Sequence, residues 1–265
     1  YVWDAHRGAL RTAHEGAIVP LAYLVGLDDH IDTLLQNTRQ FVKGFSANNA
    51  LLWGARGMGK SALTKAIHNH INEKDKLSGK LILIEIYRDD LQQVTALLDL
   101  LRKHPEQRFL LFCDDLSFDE NDSSYKSLKT ILEGGIEGRP ENVLFYATSN
   151  RRHLIPRQMI ENERSTAIQP GEAAEEKMSL SDRFGLWLGF YNCDQDEYLS
   201  MIGQYLDALP VKLDREAVKK EALTWAKIRG NRSGRVAWQF IQDLAGRHEV
   251  ALTLTAKKAA KRKKS

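Results

Sequence analysis

The sequence predicts an α/β fold: three layers built on a five-stranded parallel sheet, followed by a small all-helical lid domain. Three observations lead there. Five short apolar runs stand out: "ALLW" at 50–53, "LILIEI" at 81–86, "FLLFC" at 109–113, "VLFYAT" at 143–148 and "LWLGFY" at 186–191. The first four lack polar alternation, as strands buried on both faces do. The gaps between runs carry helical patterns, and that alternation implies parallel strands covered by helices on both sides. After residue 192 the strand signal stops and only helical patterns follow.

The elements can be justified in order. The run at 50–53 leads into "KSALTKAIHNHI", a helical pattern. After 81–86, the residues Leu91, Val94, Leu97, Leu98 and Leu101 repeat at helical spacing and predict an amphipathic helix over 90–103. Leu128, Ile131 and Leu132 mark another helix ahead of the run at 143–148. The segment 158–180 is polar, carries Pro170-Gly171, and reads as a mobile loop. Three helices follow, with Asp194, Asp214 and Ser233 where N-caps belong. The expected organisation is an N-terminal extension at 1–19, an α/β domain at 20–192, a helical lid at 193–250 and a basic tail at 251–265.

Composition bounds the class. The chain has 265 residues, 43% hydrophobic and 28% charged, long enough to bury a core without staples. Two distant cysteines, Cys113 and Cys193, suggest a reduced, cytoplasmic setting and no disulfide framework. No apolar run approaches the roughly 20 residues that span a bilayer, so no membrane role is expected. The net charge of +3 comes from the end of the chain. Without Lys257, Lys258, Lys261, Arg262, Lys263 and Lys264 the body carries a net charge of −3. That tail, 257–265, reads as a disordered solubilising end or as a nucleic-acid contact. The eight histidines show no metal-ligand spacing. Trp187 and Trp238 read as core residues.

"GARGMGKS" at 54–61 matches GxxxxGK[ST] in full, with a strand before it and a helix after it. Glycines let the backbone wrap around phosphate, and the N–H groups of Gly54, Ala55, Arg56, Gly57, Met58 and Gly59 can form an anion nest. The helix that follows adds its N-terminal dipole. Lys60 is expected on the β- and γ-phosphates and the Ser61 hydroxyl on Mg²⁺, which makes ATP the expected ligand.

Such a cradle needs an acid at the end of another strand. "RFLLFCDDLSF" supplies Asp114, expected to hold Mg²⁺ through water, and Asp115, expected to orient or deprotonate the attacking water. Glu120, five residues on, is the weaker rival. "VLFYATSN" leaves its strand through Thr148, Ser149 and Asn150 at the carboxyl end, where ligands bind in open α/β sheets. Asn150 reads equally as a group that positions the γ-phosphate or water and as a turn cap.

Together these pieces resemble the AAA+ branch of the P-loop ATPases over about residues 20–246. "GARGMGKS", "CDDLSF", "ATSN", "SDRFG" and "GNRSGR" arrive in the AAA+ order. "NTRQFVKGFSANNALLWGARGMGKSAL" resembles a bacterial AAA+ branch known only by a domain-of-unknown-function label, and "DDLSF" and "SDRFG" are similar to segments of replication-initiator ATPases. The resemblance implies that Asn150 is the first sensor. It also implies that Arg183 is an arginine finger acting on a neighbouring subunit's γ-phosphate, and that Arg235 is the second sensor in the lid. Val25 and Gly26, in "LVGLDDHIDTL", would pack near adenine. Read as plain residues, Arg183 is a surface arginine paired with Asp182, and Arg229 and Arg232 compete with Arg235.

Two departures from the family pattern matter. Many AAA+ ATPases have Asp-Glu where this chain has Asp114-Asp115, and displacing a catalytic group by about 1 Å can cost about 100-fold. The segment after "LILIEI" also lacks the aromatic-aliphatic-glycine loop of the unfoldases. The expectation is therefore slow, Mg²⁺-dependent ATP hydrolysis by an ATP-dependent homo-oligomer that loads or remodels an unknown protein partner. The alternatives are a non-hydrolysing ATP-dependent switch or adaptor, and a P-loop kinase.

Overall fold

A computed structural model describes residues 1–14, 16, 18–75, 81–118, 124–133, 139–152, 154 and 182–254. The loop expected at 158–180, Glu120 and the basic tail at 257–265 lie outside these residues. The strands are β1 (Val2–Asp4), β2 (Ala9–Arg11), β3 (Ala50–Gly54), β4 (Leu81–Glu85), β5 (Arg108–Cys113), β6 (Val143–Ser149) and β7 (Leu186–Phe190). The helices are α1 (Asp28–Val42), α2 (Lys60–Lys74), α3 (Val94–Arg102), α4 (Ser124–Glu133), α5 (Gln195–Leu206), α6 (Arg215–Ile228) and α7 (Gly234–Arg247).

Among the described residues, seven strands form one sheet in the order β2-β1-β4-β5-β6-β3-β7. The α/β class is as expected, and the five expected strands are present. The two extra strands form an antiparallel hairpin of β1 and β2 on the β4 edge. At three residues each, they are too short to carry a periodic signal. Trp3 nevertheless sits in the core at 1% exposure. The β4·β5, β5·β6 and β3·β6 pairs are parallel. On the other edge Leu186 N–H donates to Asn49 O (3.1 Å) at the start of β7, and Ala55 N–H donates to Phe190 O (2.7 Å) at its end. The bonds advance together along both segments, so β7 also runs parallel to β3.

The helix expected over 90–103 divides in two: a 3₁₀ segment, Arg88–Gln93, precedes α3. Leu91 and Val94 are both buried and lie three residues apart, a spacing that three residues per turn satisfies directly. The three later helices start where expected. The Asp194 carboxylate accepts from Glu197 N–H and the Glu197 carboxylate accepts from Asp194 N–H, a capping box. Asp214 and Ser233 cap α6 and α7 through Glu216 N–H and Val236 N–H.

The chain divides into two compact units. One comprises Tyr1–Gly16, Leu34–Gly54 and Ile71–Gly189; the other comprises Ala17–Thr33, Ala55–His70 and Phe190–Ser265. The first contains the sheet core, where β6 is buried along its whole length. A polar knot ties α1 to that strand. The Thr38 hydroxyl donates to Leu34 O (2.6 Å), so the Tyr146 hydroxyl donates to Thr38 Oγ1 (2.7 Å) and accepts from Asn37 Nδ2 (3.0 Å). Asn37 also receives Asn48 N–H (3.0 Å) and donates to Asn48 O (2.8 Å). Burial pushes the Tyr146 phenol up to about 12, so it stays neutral.

The knot makes a stability prediction. Asn37→Ala strands the backbone groups of Asn48, whereas Tyr146→Phe leaves Thr38 and Asn37 with their other partners. Asn37→Ala should cost about 1–3 kcal/mol and Tyr146→Phe about 0.5–1.5 kcal/mol in urea unfolding. The reverse ranking would remove the knot's role.

Candidate functional site

The phosphate-cradle residues belong to the second unit from Ala55 onward, and Gly54 closes β3 in the first. Gly54, Gly57 and Gly59 take φ of 122°, 75° and 92°. The Gly59 carbonyl accepts Leu63 N–H (2.8 Å), which makes Gly59 the cap of α2, with Lys60 its first residue and Ser61 its second. Helix N–H groups and the positive end of the helix dipole are therefore delivered at the end of the loop. The Lys60 ammonium donates to Ala55 O (2.8 Å), folding back over the loop. Arg56 is exposed and Met58 buried.

The start of α7 meets this loop. Arg235 N–H donates to Gly57 O (3.0 Å). A Cβ on Gly57 would meet Ser233 Oγ at 3.0 Å and Arg235 Cβ at 3.1 Å, and its positive φ disfavours side chains in any case. Arg229, a competitor for the second-sensor position, instead lies over the Trp225 ring at 4.9 Å. Arg232 lies in the turn ahead of α7. The "LVGLDD" segment packs on the same loop. A Cβ on Gly59 would lie 3.4 Å from Leu27 Cδ1 and 3.8 Å from Leu24 Cδ2. Val25 is half-buried and Gly26 exposed. Tyr23 stacks on Tyr205 at 5.7 Å, joining this segment to α5.

The acidic residues belong to the first unit. Cys113 pairs with Ala147, so Asp114 leaves β5 level with Thr148 on β6. The buried Thr148 hydroxyl accepts Asp115 N–H (2.9 Å) and donates to Asp114 Oδ1 (2.5 Å). The Thr148 carbonyl accepts Leu116 N–H (2.7 Å). Asp115 takes φ of 53°, the left-handed region that Asp tolerates better than longer side chains. Asn150 Nδ2 donates to Asp115 Oδ1. In the sequence Thr148 stands out only as a polar strand end. A threonine in an otherwise apolar run was the signal available, but its partners come from a loop 33 residues away.

Arg183 precedes β7 in a pinned segment. Phe184 is buried beside Phe145, with ring centroids 6.1 Å apart. A Cβ on Gly185 would fall 2.3 Å from Asn48 Oδ1. The guanidinium pairs with Glu133 at the end of α4. Burial pushes the Cys113 thiol up to about 12, helped by Asp114, and burial raises Cys193 as well, which favours the thiol over the thiolate at both. Among the described residues there is no group of three or more His, Cys, Asp or Glu that could hold a metal ion. Among them no helix is long and apolar enough to cross a membrane.

A family model described as "Protein of unknown function (DUF815)" matches residues 1–248. The chain belongs to this family. No curated protein matches the DUF815 chain by sequence. Among solved structures it is similar to the ORC1 protein of Aeropyrum pernix in complex with DNA, at 14% identity and a TM-score of 0.59 over 88% of this chain and 66% of that one. It is also similar to the ORC2 protein of Aeropyrum pernix in its ADP form, at 11% identity and a TM-score of 0.57 over 88% and 70%. A RuvB mutant of Thermotoga maritima matches at 16% identity and a TM-score of 0.53 over 87% and 67%. These likenesses are likenesses of fold, and the fold is the AAA+ P-loop fold. The DUF815 chain spans about two thirds of the length of these structures.

Gly57→Ala should destabilise the protein by about 1–3 kcal/mol, because a Cβ adds backbone strain and crowds Ser233 and Arg235. An unchanged thermal midpoint would show that the loop and α7 do not meet as described.

Proposed function

We propose that this DUF815 protein binds ATP with Mg²⁺ and hydrolyses it slowly, as an ATP-stabilised homo-oligomer that loads or remodels a protein partner. One observation carries the reading. The octapeptide "GARGMGKS" leaves a buried strand, turns through three positive-φ glycines and enters α2 with Lys60 as its first residue. That arrangement serves anions. Lys60 and the loop N–H groups would bind the β- and γ-phosphates. Val25 and Gly26, in the segment packed on Gly59, would lie against adenine. Arg235, bonded to Gly57 through its own N–H, is the arginine best supported as the second sensor.

In this reading the Ser61 hydroxyl and the Asp114 carboxylate would be the protein's donors to the metal. Both are hard oxygen donors, and two suffice for Mg²⁺, which keeps several waters and takes further ligands from substrate phosphate. Bound there, the metal would neutralise charge developing on the phosphates. Asp115 would take the proton of the attacking water or orient it, with Asn150 holding the carboxylate. The shorter acid and its existing bond to Asn150 favour slow turnover. The same observation favours the second reading, a switch that binds ATP and hydrolyses almost none.

Geometry within its own unit supports the reading that Arg183 acts on a neighbouring subunit. It lies ahead of parallel β7, at the amino end of the sheet, whereas Asp114 and Asn150 leave strands at the carboxyl end. Five strand residues separate those ends by roughly 17 Å, further than an arginine reaches.

Lys60→Ala should abolish ATP binding in calorimetry, and unchanged affinity would sink the reading. Arg183→Ala should lower turnover by about 10³–10⁵, and mixing it with Lys60→Ala should recover activity that neither has alone. If the wild type hydrolyses ATP and the mixture stays inactive, the finger does not act between subunits.

A further inference from the structure

We infer that Thr148 is a positioning residue that sets the Asp114 carboxylate for Mg²⁺ and holds Asp115 in its left-handed backbone. This rests on the ATP- and Mg²⁺-binding reading above. Thr148 lies on β6, is 2% exposed, and spends every polar atom apart from its ladder-bonded N–H on the loop that leaves β5. The direction of each bond is determined. A backbone N–H can only donate, so the hydroxyl oxygen accepts from Asp115. An ionised carboxylate can only accept, so the hydroxyl proton goes to Asp114 Oδ1. The donor to the carboxylate is thus itself polarised by a second hydrogen bond, which strengthens the first.

Two consequences follow for the acids. Engaging Oδ1 fixes the carboxylate plane of Asp114, and with it the direction in which Oδ2 lies. This is how outer partners orient metal-holding carboxylates. The bonds to Asp115 N–H and Leu116 N–H clamp both peptide groups that flank Asp115, which keeps that residue at a φ of 53°. A left-handed non-glycine residue costs of order 1–3 kcal/mol and persists only where its surroundings over-determine it. Thr148 supplies two of those constraints, and Asn150 on the same strand end supplies a third through the side chain. A structural role alone would require satisfied N–H groups; it would not require the proton of the hydroxyl to be aimed at Asp114.

Thr148→Val keeps the side-chain shape and removes the hydroxyl, and Thr148→Ser restores the hydroxyl. The test follows binding of a fluorescent ATP analogue as Mg²⁺ is titrated, with an EDTA control and a thermal melt of each variant. Thr148→Val should need about 10–100-fold more Mg²⁺ for half-maximal tightening. Its affinity in EDTA should match the wild type, and Thr148→Ser should lie close to the wild type throughout. The inference is overturned by an unchanged Mg²⁺ requirement in Thr148→Val. It is equally overturned by a serine variant as impaired as the valine one, or by an equal loss of affinity in EDTA. A wild type that binds no ATP overturns the underlying reading and this inference with it. A wild type that binds ATP and responds to Mg²⁺, beside a valine variant identical to it, overturns this inference alone.

Discussion

The register of β5 on β6 is the constraint on which the Asp114–Asp115 turn depends. Phe109 to Cys113 faces Val143 to Ala147, and both strands are buried almost throughout. Both strands are apolar on both faces, so the close packing of differently shaped side chains, not an apolar–polar alternation, holds the alignment. That alignment makes Asp114 leave its strand beside Thr148. One threonine hydroxyl can then reach both a carboxylate and the next backbone N–H. The chemistry at the sheet's end is set by packing in its middle.

Much of this was legible because buried parallel strands advertise themselves. The five apolar runs lie within a residue or so of β3, β4, β5, β6 and β7. Asp194, Asp214 and Ser233 cap the helices they were expected to cap. The cradle was readable because its glycines, lysine and serine are each needed at one spacing. The β1–β2 hairpin was not readable: its three-residue strands are held by the pairing of β1 with β4, which sets Val2 opposite Glu85, a residue distant in sequence. Thr148 was visible only as a polar residue at a strand end. Its bonds exist because tertiary pairing brings a distant loop to it.

Asp115 illustrates how structure changes the meaning of a substitution. By sequence, an aspartate in place of the usual glutamate looks like a carboxylate withdrawn by one methylene. In the fold, the residue stands in the left-handed region, where a short polar side chain is better tolerated than a long one. Asn150 lies within hydrogen-bonding distance of that short side chain. The short acid therefore belongs to the same local geometry as its left-handed backbone and its bond to Asn150.

The division into two units has a consequence for inheritance. The second unit is assembled from three separate stretches, 17–33, 55–70 and 190–265. Within it Tyr23 stacks on Tyr205, and Gly57 meets Ser233 and Arg235, so each stretch needs another. No contiguous segment of the gene encodes this unit. A break near residue 192, where strands give way to helices, would orphan the cradle from the helices it packs with. Recombination can therefore pass on this unit intact only as an undivided coding sequence running from its first stretch to its last.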